Sequence, residues 1–243
     1  MNRGLRVVAR WSGAVRPRGA FTLIELLVVM GIIVLLIAGA GLALGGRGGE
    51  GAALANAQSV LAGLVGATRA QAALHQTNAR LIVYAQPPPA GDATKYLRVL
   101  QVVREEPFGS NTFVAAGDPV ALPAAICVVP SPVVPVDHLN PGVVWRTNPA
   151  PVSTLNTQAS FSYRGQAEAR AQYFGAAASG RIFFLQFGPE GNVTLPAAGA
   201  KLAVASAVLH PNQVPKFNNA SGVRGVILRR SGAVALIDDA TEF

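Results

Sequence analysis

The sequence predicts an α+β fold in which one long N-terminal helix, its first half apolar enough to cross a membrane, packs on an antiparallel β-sheet. Three observations predict it. The run Phe21 to Gly45 is apolar except for Thr22 and Glu25, and an alanine-rich stretch with helical periodicity follows it. Two hairpin patterns close the chain, and nine of the 17 prolines crowd between Pro107 and Pro151.

The N-terminus comes first. Arg3, Arg6, Arg10, Arg16 and Arg18 stand among the first 20 residues with no acid between them. The whole chain carries +8, and removing those five charges leaves +3 over the remainder. The basic balance is therefore a property of a leader, and the weak remainder argues against a polyanion partner. At about 1.5 Å per residue, a helix over residues 21–45 spans a hydrocarbon core of about 30 Å. The arginines precede the run and only Arg47 follows closely, so the N-terminus is expected in the cytoplasm and the rest of the chain outside.

Glu25 is the unusual letter. A secretion signal has an apolar stretch of about 7 to 15 residues and a small-residue cleavage site, for which Ala38 to Ala43 would serve. That reading leaves the run too long and places an acid inside it. A plain anchor explains the length but gives the acid no purpose, because an unpaired carboxylate at membrane depth costs about 2.5 to 3.5 kcal/mol.

"GAFTLIELLVVMGII" resembles the class III signal of type IV pilins and type II secretion pseudopilins, in which a small residue and a cleavage point precede Phe-Thr-Leu-Ile-Glu at the head of a long apolar helix. The resemblance implies cleavage by a prepilin peptidase between Ala20 and Phe21, N-methylation of Phe21, and a subunit-assembly role for Glu25 with Thr22 beside it. The Phe21 ammonium and the Glu25 carboxylate of a neighbouring subunit would neutralise one another in an apolar bundle. One position departs: Gly19 is followed by Ala20, where the family places glycine before the cut. Alanine is the smallest substitute, and processing is expected to proceed. The implied partners are the peptidase, other pilin or pseudopilin subunits, and an inner-membrane assembly platform.

The domain reading follows. Residues 1–20 are a cleaved leader, 21–45 the transmembrane half of the helix, and 46–76 a glycine joint with the periplasmic half. Residues 77–243 form a pilin-like β domain with a proline-rich middle at 105–151. The joint, "GGRGGEG", matches G-x-G-x-x-G at Gly46, Gly48 and Gly51, but a dinucleotide fingerprint needs a preceding strand and a βαβ unit. Glycine there is read as weakening the helix. In the second half Leu54, Ala57, Leu61, Leu64, Val65, Thr68 and Ala72 recur every three or four residues, an apolar stripe for a sheet to cover.

Beyond the helix, "ARLIVYAQ" reads as a strand, "PPPAGD" as a turn and "KYLRVLQVVRE" as a second strand. The proline-rich middle allows only short strands such as "ICVV" and "GVVW". "RIFFLQFGPEGNVTL" turns over Pro189 to Asn192, and "VRGVILRRSGAVALID" turns around Ser231 and Gly232. "TRAQAALHQTNARLIVYA" with Arg69, "FGPEG" at Phe187 to Gly191, and the last hairpin also resemble H-type minor pseudopilins and their pilus relatives.

Chemistry has little to work with. Cys127 is the only cysteine, so no intramolecular disulfide forms, and its apolar surroundings suit a buried small hydrophobe. His75, His138 and His210 show no metal-ligand spacing, and neither a nucleophile elbow nor a phosphate loop is present. No enzyme activity, cofactor or metal is expected. Asp238, Asp239 and Glu242 lack the ligand spacing of a dedicated calcium loop. Arg224, Arg229 and Arg230 are candidates for nucleic-acid contact, but without interleaved aromatics they read first as a charged face. The expected function is a pilin-like subunit of a periplasmic type II secretion pseudopilus. A minor or major type IV pilus pilin is the alternative, and a non-assembling anchored binding domain the second one.

Overall fold

A computed structural model describes residues 23–130, 138–145, 151–159, 161, 163–164, 180–211, 213–220 and 222–243, with backbone alone over 23–48. The chain divides into two compact units, Met1–Gly46 and Arg47–Phe243. In the first, the described part is helical backbone. It belongs to α1 (Leu23–His75), whose bounds include the glycines of residues 45–51.

In the second unit α1 lays one stripe into the core. Leu54, Ala57, Leu61, Val65, Thr68 and Ala72 are buried and Leu64 is partly so, as the spacing predicts. Thr68 tolerates burial because its hydroxyl donates to the Leu64 carbonyl at 2.7 Å. Each fully buried Leu or Val on this stripe contributes about 1.5 to 3 kcal/mol. The helix ends without glycine. Gln76 takes a left-handed φ of 50°, and the Thr77 amide donates back to the Ala72 carbonyl at 3.2 Å, which is Schellman geometry.

Thirteen strands lie among the described residues. They are β1 (Ala79–Tyr84), β2 (Val99–Glu105), β3 (Phe113–Ala115), β4 (Val120–Ala121), β5 (Ile126–Val128), β6 (Asn156–Gln158) and β7 (Tyr163–Arg164), followed by β8 (Ile182–Phe187), β9 (Val193–Leu195), β10 (Ala200–Val208), β11 (Lys216–Phe217), β12 (Val223–Leu228) and β13 (Val234–Ile237). They build two sheets rather than one. The first runs β6-β8-β1-β2-β3-β7, with β4 on β2 and β9 on β8; the second runs β11-β10-β12-β13, with β5 on β10. Pairing is antiparallel except between β3 and β7 and at a Leu139–Phe217 bridge.

The first sheet is covered on both faces. Leu81 and Val83 of β1, with their partners Val102, Leu100, Leu185 and Phe183, join the core that holds the helix stripe. Ile82, Val103, Ile182 and Phe184 point the other way, into a second cluster closed by Phe113 and Phe161. That is why β1 and β8 read as unbroken apolar runs instead of alternating ones.

Arg80 stands inside this second cluster, 7% exposed. Its guanidinium lies 4.1 Å from the ring centre of Phe113 and 4.2 Å from that of Phe184. Its Nε donates to Gln186 at 2.7 Å and its Nη1 to Gln158 at 2.9 Å. Burial lowers its pKa to about 10, against the opposing pull of Glu105, so it stays a cation at neutral pH.

Two expectations are corrected, and one strand is added. "GVVW" is not a strand: Gly142 takes a left-handed φ of 86°, the Val143 amide closes back on the Asn140 carbonyl, and residues 143–145 are irregular. The second predicted strand starts at Val99 rather than Lys95, because Asp92 gathers the amides of Thr94, Lys95 and Tyr96 into a turn. The longest strand, β10, lies between the two hairpins, in a stretch to which no sequence pattern assigned an element. Its "AKLAVASAV" is rich in alanine, a poor strand former, and it is strand because β12 and β5 flank it.

The second sheet meets the helix through Gln58, a buried residue beside the stripe. Its Nε2 donates to the carbonyls of Gly225 at 3.0 Å and Ile237 at 2.9 Å. A Cβ on Gly225 would strike the Leu202 carbonyl oxygen and stand 2.8 Å from the Phe243 ring. Gly225→Ala is therefore expected to lose about 2 to 4 kcal/mol in a denaturant titration, since the obstructing atom is backbone. Arg80→Met, which keeps bulk but strands the Gln186 and Gln158 acceptors, is expected to lose about 3 kcal/mol by the same measurement. Burial raises the Cys127 thiol to about 12, so almost no thiolate exists at pH 8. Alkylation of the folded chain at that pH should be no faster than unfolding, and rapid labelling without unfolding would contradict this packing.

Candidate functional site

The processing residues come first in the chain. Gly19, Ala20, Phe21 and Thr22 lie outside the described residues. Glu25 falls on α1, described there by backbone alone. Leu23 and Ile24 precede it on the helix, and the apolar run continues to Gly45. Among the residues searched, no helix is long and apolar enough to cross a membrane; the side chains of the apolar run are not among those described.

The three candidate arginines separate in space. Arg229 and Arg230 are exposed in the turn between β12 and β13. That turn is held by the Arg229 amide donating to the Ala233 carbonyl at 2.9 Å and by Gly232 at a φ of 81°. Arg224 lies further down β12, where its Nη1 is 3.7 Å from Oδ1 of Asp238, the residue after β13. Both side chains are partly solvated, so this ion pair is worth under about 1 kcal/mol. Arg69, from the exposed side of α1, takes Arg224's place near the turn. Its Nε stands 3.1 Å from where a Cβ on Gly191 would sit and 3.2 Å from the same point on Gly232. The arginine thus lies across both hairpin turns, and glycine at the two positions leaves room for it.

A cleft of about 290 Å³ opens where Glu50, Gly51 and Leu54 of α1 face Asn219, Arg224 and Asp238. Asn219 Nδ2 donates to Glu50 Oε1 at 3.2 Å, and Asn219 Oδ1 accepts from the Gly222 amide at 3.1 Å. No sequence pattern pointed to this cleft, because its walls are separated by more than 160 residues and only the folding of the hairpin onto α1 brings them together.

The C-terminal acids have separate work. Asp238 faces Arg224, while Asp239 caps the short 3-10 turn Ala240–Glu242. The backbone amide and then the hydroxyl of Thr241 hold its carboxyl below the usual range. Among the described residues no three His, Cys, Asp or Glu side chains gather closely enough to hold a metal ion. The histidines are likewise apart. His75 reaches Arg104 at 3.5 Å, His138 lies buried 3.1 Å from the Tyr96 hydroxyl, and His210 is exposed after β10. Burial pushes that Tyr96 hydroxyl up to about 12, so it stays protonated beside the histidine.

The prokaryotic N-terminal methylation motif matches residues 15–41, a span that begins in the basic leader, includes Ala20, Phe21 and Glu25, and continues into the apolar run. Neither a curated protein nor a solved structure matches the chain. A motif of this kind marks a membrane-anchored precursor that prepilin peptidase processes and that assembles with other pilin subunits. The chain carries the N-terminal signal of a type IV pilin-like or pseudopilin precursor.

Proposed function

We propose that the precursor is cut between Ala20 and Phe21, methylated on Phe21, and built into a periplasmic pseudopilus of a type II protein secretion system, as an H-type minor subunit. The observation that carries this reading is the methylation motif over residues 15–41, with Glu25 set inside its apolar run. The chain does no chemistry of its own; it is the substrate of one enzyme and then a building block. Its N-terminus lies in the cytoplasm before cleavage and its β domain in the periplasm, as the arginine asymmetry favours.

The Glu25 carboxylate is the assembly residue. Within a bundle of apolar helices it is stable only with a counter-charge, and the Phe21 ammonium of a neighbouring subunit supplies one, with Thr22 beside it. The two charges also select one stagger between adjacent helices, because any other register leaves both unpaired.

A type IV pilus is the second reading. The exposed Arg229 and Arg230, with Arg69 beside their turn, favour it as a surface able to meet phosphates of DNA during uptake.

N-terminal sequencing of the membrane-extracted protein is expected to give methyl-Phe21; an intact Met1, or a new terminus near Ala40, would refute processing at Ala20. Glu25→Ala is expected to be cleaved as well as the wild type yet to enter fibres at least about tenfold less often, measured as sheared fibre against membrane pool. Retention on DNA that rises at low salt and disappears in Arg229→Ala/Arg230→Ala would favour the pilus over the secretion system.

A further inference from the structure

The second sheet ends on a strand that lacks the usual protection of an edge. Among the described residues β13 pairs with β12 alone, and its Val234, Ala235 and Leu236 are all exposed, Leu236 by 58%. No proline, lysine or other charge interrupts Val234–Ile237. The other sheet ends are short or polar: β6 is Asn-Thr-Gln, β7 is Tyr-Arg and β11 is Lys-Phe. An apolar edge of this kind is a template for another strand.

We propose that β13 pairs antiparallel with β13 of a second copy of this chain. The register follows from the hairpin. Because the Arg229 amide donates to the Ala233 carbonyl, the alternation of an antiparallel ladder turns Ala233, Ala235 and Ile237 toward β12. Val234 and Leu236 then present their N–H and C=O groups outward. Outward residues pair only with outward residues, and of the registers this allows, Leu236 opposite Leu236 with Val234 opposite Asp238 is the one that sets Arg230 opposite Glu242 of the second copy. Charge agrees with this arrangement. The strand has exposed Arg229 and Arg230 before it and exposed Asp238, Asp239 and Glu242 after it, so antiparallel pairing brings the basic turn of each copy beside the acidic end of the other. Parallel pairing would set like charges together. The contact is isologous, with a two-fold axis at Leu236. It is independent of cleavage at Ala20, and its failure would leave the processing reading standing.

The test uses the full chain in detergent, with association followed by sedimentation. The wild type is expected to form dimers. Leu236→Lys, which places two lysines on the axis, is expected to weaken association about tenfold or more, with an unchanged circular dichroism spectrum because the side chain is mostly exposed. Arg230→Glu and Glu242→Arg should each weaken association, and the double variant should recover it. A chain that stays monomeric at every concentration, a dimer indifferent to Leu236→Lys, or a double variant no better than the single ones would overturn the proposal.

Discussion

The globular unit depends on one constraint: a single helical stripe has to be covered by two sheets at once. Leu54, Leu61 and Val65 supply the apolar volume, and Ala57 and Ala72 supply the closeness. Buried residues of both sheets share one core with the stripe, and backbone bonds join the two sheets. The Val128 amide donates to the Leu97 carbonyl at 2.8 Å, and the Val193 amide to the Arg230 carbonyl at 2.9 Å. Gln58 adds direction to a contact that hydrophobic burial leaves nondirectional. Two carbonyls from different strands of the last hairpin accept from one amide, so the hairpin has one position along the helix.

The opposite face of the first sheet is built on a different principle. An antiparallel sheet can leave one face to water, but here residues from the proline-rich middle and from the segment after it lie over β1 and β8. Arg80 is the group around which they close, a cation held between two aromatic faces and tied to side-chain carbonyls on β6 and β8. A buried charge of this sort is costly to leave unpartnered, so the cover has few alternative positions. Glu105 extends the network on the next strand, accepting from the Asn111 amide and the Asn78 side chain. The middle section therefore contributes a second layer to the domain.

The division of labour between the ends of the chain has a physical basis. A signal of the kind matched over residues 15–41 is written in consecutive residues. The surfaces of the β domain are composed from distant residues: Arg69 with Gly191 and Gly232, or Glu50 with Asn219 and Arg224.

Sequence by itself determined whatever depends on local periodicity or on a consecutive motif. The stripe on α1, strands β1, β2 and β8, both terminal hairpins and the methylation signal were legible because each is decided within about 30 residues. Gly191 and Gly232 marked their turns for the same reason, since only glycine takes a φ near 75° to 80° without strain. Tertiary structure decided the rest. β10 is a strand because its neighbours make it one, against its alanine-rich propensity. Arg80 is buried because three separate segments bring aromatic rings and amides to it. Arg224 left the basic cluster and Arg69 entered it because a hairpin folded back on a helix, a long-range event that neither spacing nor composition records.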